Sequence, residues 1–255
     1  MRKRLPRRLG HGEEATLVEH LGELRARLLI GLLTIAPAFV VAFVFQERLV
    51  DWLTRPLPED KHIVTLGVIE PFTTAVKVSL AAAVAVTLPI LLYQLWAFLA
   101  PAVAERVQRT VAAFAVFATV LFAGGVAFSY FVVLPRALDF LTNFNEDVFE
   151  IQIRASYYFS FVTVTLLATG LAFQMPIFIL ALVRLRVLTA EKLRRNRRFG
   201  ILIMVVFAVL LPTVDPVSLS LEVVPLLLLF ELSIWLSALM EKRWALDEPE
   251  LVDDI

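Results

Sequence analysis

Two side chains able to do acid–base or polar chemistry stand inside long apolar stretches, Gln174 and Glu222, and Asp215 stands at the head of the stretch that holds Glu222. An ionisable group near the centre of a bilayer costs about 2.5–3.5 kcal/mol on insertion scales, so each needs a partner or a task. Glu222 can titrate or pair with Gln174, and together they make a candidate midplane relay for a proton-coupled secondary transporter. Asp215 is also placed to cap the first turn of the following helix, which is a sufficient structural role. Hydrolysis within the membrane would need a buried nucleophile and base. His11, His20 and His62 all fall outside apolar runs, there is no Gly-x-Ser-x-Gly, and the chain has no cysteine for a thiolate nucleophile or thiolate metal site.

A second set of carboxylates lies near the N-terminus. Thr16-Leu-Val-Glu19 fits a capping box, which starts a helix there. On a helical wheel Leu17, Leu21, Leu24 and Leu28 form one stripe, with Glu19, Glu23 and Arg27 roughly opposite, so the segment is expected to lie along the membrane surface. Glu23 is open to two roles. It can pair with Arg27 one turn on, worth about 0.2–0.5 kcal/mol, or it can receive a cationic ligand.

The elements that carry these residues follow from hydropathy. Hydrophobic residues make up 59% of the 255 and mean hydropathy is +0.80, well above the roughly 45–50% apolar usage of soluble domains. A span needs about 20 apolar residues, and runs at 28–45, 78–99, 110–134, 156–183, 199–213 and 217–240 predict an all-α protein with six transmembrane helices. The fifth is short, about 22 Å at 1.5 Å per residue, and Pro212 to Pro216 make a tight hairpin to the sixth, so thinning of the bilayer or a shielded, wet end is expected there. Pro37, Pro89, Pro176 and Pro225 predict kinks within spans. Residues 1–15 read as a basic tail, 16–240 as the membrane domain and 241–255 as an acidic tail. With 27 polar-rich residues ahead of the first apolar run, a cleaved signal peptide is not expected.

Orientation follows from Lys and Arg. Segments 1–27, 100–109, 184–198 and 241–255 hold 18 of the 24, and those between hold 6, which predicts both termini cytoplasmic. The basic run 184–198 is then a topology determinant rather than a nucleic-acid site, in keeping with zero net charge. Segments 46–77 and 135–155, rich in acids and aromatics, are expected to form ordered caps on the opposite side. Lys77 at the outer end of the second span is expected to snorkel. Tyr93, Trp96, Trp52, Tyr157 and Tyr158 fall at span ends, as an interfacial belt requires. No repeat is visible, which counts against an inverted-repeat transporter.

Several segments carry a resemblance. Glu19-His-Leu-Gly-Glu-Leu-Arg-Ala-Arg-Leu28 resembles the N-terminal signature of TatC, the receptor subunit of the twin-arginine protein translocase, and Tyr93-Gln-Leu-Trp-Ala-Phe-Leu-Ala-Pro101 resembles a second family segment. Phe128 to Pro135, Phe173 to Pro176, Asp215 to Ser218 and Phe230-Glu231 also fall where that family has similar residues, so the resemblance covers about 16–240. It implies a non-enzymatic receptor in the cell inner membrane with no cofactor. The receptor would recognise twin-arginine signal peptides of folded cargo and assemble with single-span TatA/TatB-type subunits into an oligomeric complex. Arginine suits carboxylates because its planar fork forms bidentate bonds, and consecutive arginines on an extended peptide point to opposite sides, so two acidic sites are expected.

Carried over residue by residue, Glu23 matches the first signal-binding carboxylate and Phe98 an aromatic on the same surface. The second carboxylate of the family aligns with Val107, a departure, and Glu105 two residues earlier is the replacement expected here. Gln174 falls where the family has glutamate or glutamine facing a concave, partly hydrated interior; a helix-packing hydrogen bond accounts for it equally well. For Glu222 the resemblance supplies no counterpart. The family's partner-binding threonine and glutamine align with Pro212 and Leu219, so Thr213, Ser218 and Glu222 are expected to supply replacement hydrogen bonds to a partner helix.

Overall fold

No proline falls between Leu17 and Pro37, so helical hydrogen bonding propagates from the polar first turns straight into the first apolar run. In the computed structural model α1 (Leu17–Val44) is one continuous helix. The structure describes residues 17–99, 108–149, 151–184, 187–212 and 215–247; Thr16 of the capping box lies outside them. The amphipathic segment is therefore not a separate surface element. At 1.5 Å per residue α1 runs about 42 Å, longer than the roughly 30 Å hydrocarbon core.

Phe45, with φ −97° and ψ 17°, turns the chain into α2 (Gln46–Thr54). The remaining helices are α3 (Glu70–Leu99), α4 (Gln108–Phe128), α5 (Leu134–Asn143), α6 (Ala155–Ala172), α7 (Met175–Arg184), α8 (Ala190–Arg195), α9 (Arg197–Val209) and α10 (Pro216–Asp247). Five stretches among the described residues are long and apolar enough to cross a membrane: Leu24–Val44, Glu70–Leu95, Ala115–Asn143, Ala155–Arg184 and Pro216–Glu241. At 13 residues, α9 runs only about 20 Å, shorter still than the expected fifth span.

Two spans differ from expectation. The third does not stop at residue 134: a π-helical segment, Ser129–Val133, joins α4 to α5, and the Leu134 N–H reaches the Ser129 carbonyl five residues back. Pro135 has no N–H to give, and the wider π turn absorbs that gap without ending the helix. The extension holds because Leu134, Ala137, Leu138 and Thr142 are buried. The fourth span breaks at Phe173-Gln174, just ahead of Pro176, which has no N–H to close a helical bond there.

On the side away from the described start of α1 the two expected caps are tied together. β1 (Ile63–Val64) pairs in parallel with β2 (Ile153–Arg154), Ile63 opposite Ile153. Glu70, buried at the head of α3, accepts from Leu66 N at 2.9 Å, Ser156 N at 2.9 Å and Arg154 Nε at 3.0 Å. The Tyr130 hydroxyl donates to the Trp52 carbonyl at 2.7 Å, with the two rings stacked 4.0 Å apart, and the Tyr158 hydroxyl donates to the Leu53 carbonyl at 2.8 Å. Tyr158 is thus buried beneath the cap rather than placed in an interfacial belt. Lys77, exposed near the same end, donates to the Ser160 hydroxyl at 3.3 Å. Removing the hydroxyl with Tyr158→Phe leaves the buried Leu53 carbonyl unpaired and is expected to cost about 1–3 kcal/mol, read as a lower melting temperature of the detergent-solubilised protein; an unchanged melt would contradict this role.

Where helices cross, small residues let backbones approach. A Cβ on Gly125 of α4 would lie 2.9 Å from the Gly170 Cα on α6, and one on Gly31 of α1 would lie 2.8 Å from Leu91 of α3. Behind these crossings Leu88, Phe122, Ile177 and Leu180 form a buried cluster, and Met204, Phe230 and Ile234 form another between α9 and α10.

Candidate functional site

At the end where α1 begins, its first turns lie against the end of α3. The Arg27 guanidinium donates to the Gln94 side-chain oxygen at 3.3 Å, which joins the two segments singled out in the sequence. The helices run antiparallel, so Glu23 lies one turn beyond Arg27 and Phe98 one turn beyond Gln94, on neighbouring rungs at the same end of the bundle. Phe98 is half-buried and Tyr93 exposed. Glu105 lies outside the described residues. The same end is braced by Arg197 to Glu231 at 2.7 Å and by Ala190 N to the Glu241 carboxylate at 3.0 Å, with Thr189 capping α8 through Lys192 N at 3.2 Å.

The polar residues within the bundle sit at two places. Gln174, in the α6–α7 break, donates from Nε2 to the Ala118 carbonyl of α4 at 3.0 Å, while its Oε1 has no hydrogen-bond partner among the described residues. It therefore fastens the break to α4, the helix-packing role foreseen for it. Glu222 of α10 accepts from the Thr169 hydroxyl of α6 at 3.3 Å. Asp215 caps α10: one carboxylate oxygen accepts from Ser218 N at 2.8 Å and the other is buried without a partner among the described residues. Ser218 and Glu222 both turn inward and are fully buried. Thr213 lies outside the described residues. The lipid-facing side of the same stretch is an apolar cleft of about 570 Å³ lined by Phe128, Val217, Ser220, Leu221, Val224 and Leu228, among others.

A sequence profile described as Sec-independent protein translocase protein (TatC) matches residues 19–225. The chain belongs to the TatC family. The TatC of Desulforapulum autotrophicum is 32% identical over 246 residues, which are 95% of this chain and 91% of that protein. TatCd of Bacillus subtilis is 34% identical over 91% of this chain and 95% of its own length. A crystal structure of the twin arginine translocase receptor TatC, in DDM, superposes with a TM-score of 0.75 at 34% identity, covering 86% of this chain and 99% of that one. As a TatC, the chain is a component of a protein translocase and not an enzyme. Its apolar helices make it a multi-pass membrane protein.

Sequence reasoning missed three contributors. Glu70 reads as one more acid in an acidic loop, although a glutamate just ahead of Pro71 at the head of an apolar run could have marked a buried helix start. The Arg27–Gln94 bond and the Thr169–Glu222 bond each join helices far apart in sequence, and no local pattern announces them.

Proposed function

We propose that this TatC recognises twin-arginine signal peptides at the end of the bundle where Glu23 and Phe98 stand on adjacent rungs, and scaffolds assembly of a translocation complex. In this reading the chain crosses the cell inner membrane six times, the short α9 making the fifth pass, with both termini cytoplasmic. The Arg27–Gln94 hydrogen bond carries the proposal, because it joins the two motif segments into one surface. Glu23 supplies a carboxylate for the first arginine and Glu105 one for the second, each able to grip a guanidinium in bidentate fashion.

Single-span partner subunits dock along α9 and α10, with Thr213, Asp215, Ser218 and Glu222 supplying hydrogen bonds and Gln174 holding the α6–α7 break behind them. Because Ser218 and Glu222 turn inward, such a partner meets the Val217–Leu228 cleft first. A crosslinking scan along 213–222 that found no partner contact would remove the docking part.

The deciding experiment is binding of a twin-arginine peptide and its Lys-Lys counterpart to the intact protein and to Glu23→Ala. Truncating one member of a hydrogen-bonded charge pair costs about 2–5 kcal/mol, so affinity is expected to fall at least roughly thirtyfold in Glu23→Ala. The Lys-Lys peptide should bind poorly to both. Equal binding of the twin-arginine peptide to parent and variant would overturn the assignment of Glu23, and equal binding of both peptides to the parent would overturn the receptor reading.

A further inference from the structure

Gly200, Met204 and Ala208 follow one another by a turn along α9 and make its inner face. Met204 and Ala208 are buried, and a Cβ on Gly200 would run into the Phe230 ring of α10. Arg197, on the same side, is held by Glu231 at 2.7 Å. The rotation of α9 about its axis is fixed by these contacts. Its opposite face carries Arg198, Phe199, Leu202 and Val206 in succession, all of them exposed. Charge therefore gives way to apolar surface within a single step of the chain, between Arg198 and Phe199.

The elbow ahead of that face is cationic. Lys192, Arg194 and Arg195 of α8 and Arg198 of α9 are exposed, and among the described residues none of the four forms a salt bridge. Glu191 is the one carboxylate in this stretch. It stands one turn before Arg195 without pairing to it. Four free cations against one acid form a local site that the zero net charge of the whole chain conceals.

Length sets the depth of this elbow. At about 20 Å, α9 falls short of the roughly 30 Å hydrocarbon core, and a short span is accommodated by thinning of the bilayer around it. Thinning draws lipid phosphates inward, toward the guanidinium groups at the head of α9. Arginine suits a phosphate because its planar fork bonds two oxygens at once. A neutral lipid would leave the cations unpaired, and a soluble acidic partner would leave the apolar face uncovered.

We propose that the α8–α9 elbow is a binding site for an anionic phospholipid, with Arg194, Arg195 and Arg198 holding the phosphate and Phe199, Leu202 and Val206 carrying an acyl chain. The site rests on α9 making the fifth pass, as proposed above. Held there, the lipid fills the step between the short helix and the surrounding bilayer.

The test is native mass spectrometry of the full-length protein in detergent, given phosphatidylglycerol and phosphatidylcholine with identical oleoyl chains. The parent is expected to bind phosphatidylglycerol at least about fivefold more tightly, since each basic side chain near an anionic surface is worth close to that factor. Arg195→Gln/Arg198→Gln is expected to weaken phosphatidylglycerol by about twenty-fivefold and to leave phosphatidylcholine unchanged. That variant keeps five of the seven cations of 184–198, so orientation is retained, and an unchanged melt without added lipid checks its fold. Arg198→Lys keeps the charge without the fork and should fall between parent and double variant. Equal binding of the two lipids by the parent, or an undiminished preference in the double variant, would overturn the site. Glycerophosphoglycerol, the headgroup without chains, binding as tightly as the lipid would overturn the acyl track. The chain has no cysteine, so Ile203→Cys, at an exposed position of α9, takes a single spin label in nanodiscs. A label reached by a water-soluble nickel complex rather than by dissolved oxygen would overturn the membrane pass itself, a failure separate from loss of headgroup preference.

Discussion

Glu70→Ala is expected to leave little protein that survives extraction as a monodisperse, folded species, the largest effect on stability of any single change. Three donors converge on this one buried carboxylate: the backbone N–H groups of Leu66 and Ser156, and Arg154 Nε. Alanine leaves all three without their acceptor at once, and a buried donor left unmade costs far more than an average hydrogen bond contributes. Glu70→Gln should also fail, because an amide has one accepting oxygen and would turn an NH₂ toward a donor. Arg154→Ala should be milder, since its side chain is 40% exposed and both backbone bonds remain. Thermal melts in detergent order the series as parent, Arg154→Ala, Glu70→Gln, Glu70→Ala. Melting of Glu70→Ala with the parent would show that the cap does not depend on this carboxylate.

Gly125→Ala and Gly124→Ala should differ in sign although the two residues are adjacent. A Cβ at 125 meets the Cα of Gly170 at 2.9 Å and the Phe173 side chain at 2.8 Å, and backbone cannot step aside as a flexible side chain can. Overpacking of this kind costs about 1–3 kcal/mol. At 124 nothing lies within 4 Å, so alanine there should gain about 0.5–1 kcal/mol from restricting the unfolded chain. The measurement is the pair of melting temperatures relative to the parent. Equal shifts would mean that α4 and α6 do not approach as closely as the structure has them.

Five of the six expected spans were legible in the sequence, because hydropathy over about 20 residues is set by the bilayer alone. Where prolines act, legibility ended: Pro176, expected only to kink its span, follows a break in it, while Pro135 does not break the helix, because the π segment before it takes up the missing donor. Nothing in the residue types around Pro135 distinguishes the two. The surface helix expected at 16–28 went the same way, since amphipathicity describes a face and says nothing about whether the helix bends before the apolar run. Of the candidate residues, Phe98 is marked by the family resemblance alone, while Glu23, Gln174, Asp215 and Glu222 stand out by chemistry and position. Their partners could not, because Gln94, Ala118 and Thr169 lie 53 to 67 residues away from the groups they meet and which helices meet is decided by tertiary packing. Tyr158 shows the converse: an aromatic at a span end looks interfacial until the cap folds over it.

The knot at Glu70 also bears on how the chain is made. Its partners Arg154 and Ser156 follow it by 84 and 86 residues. At a synthesis rate of about 5–20 residues per second, the ribosome needs on the order of ten seconds to deliver them. Throughout that interval the carboxylate is without these partners, because the piece that fastens the early helices does not yet exist. Biogenesis of this protein thus has a built-in pause between threading and locking, during which α1 and α3 rely on their own contact to stay together.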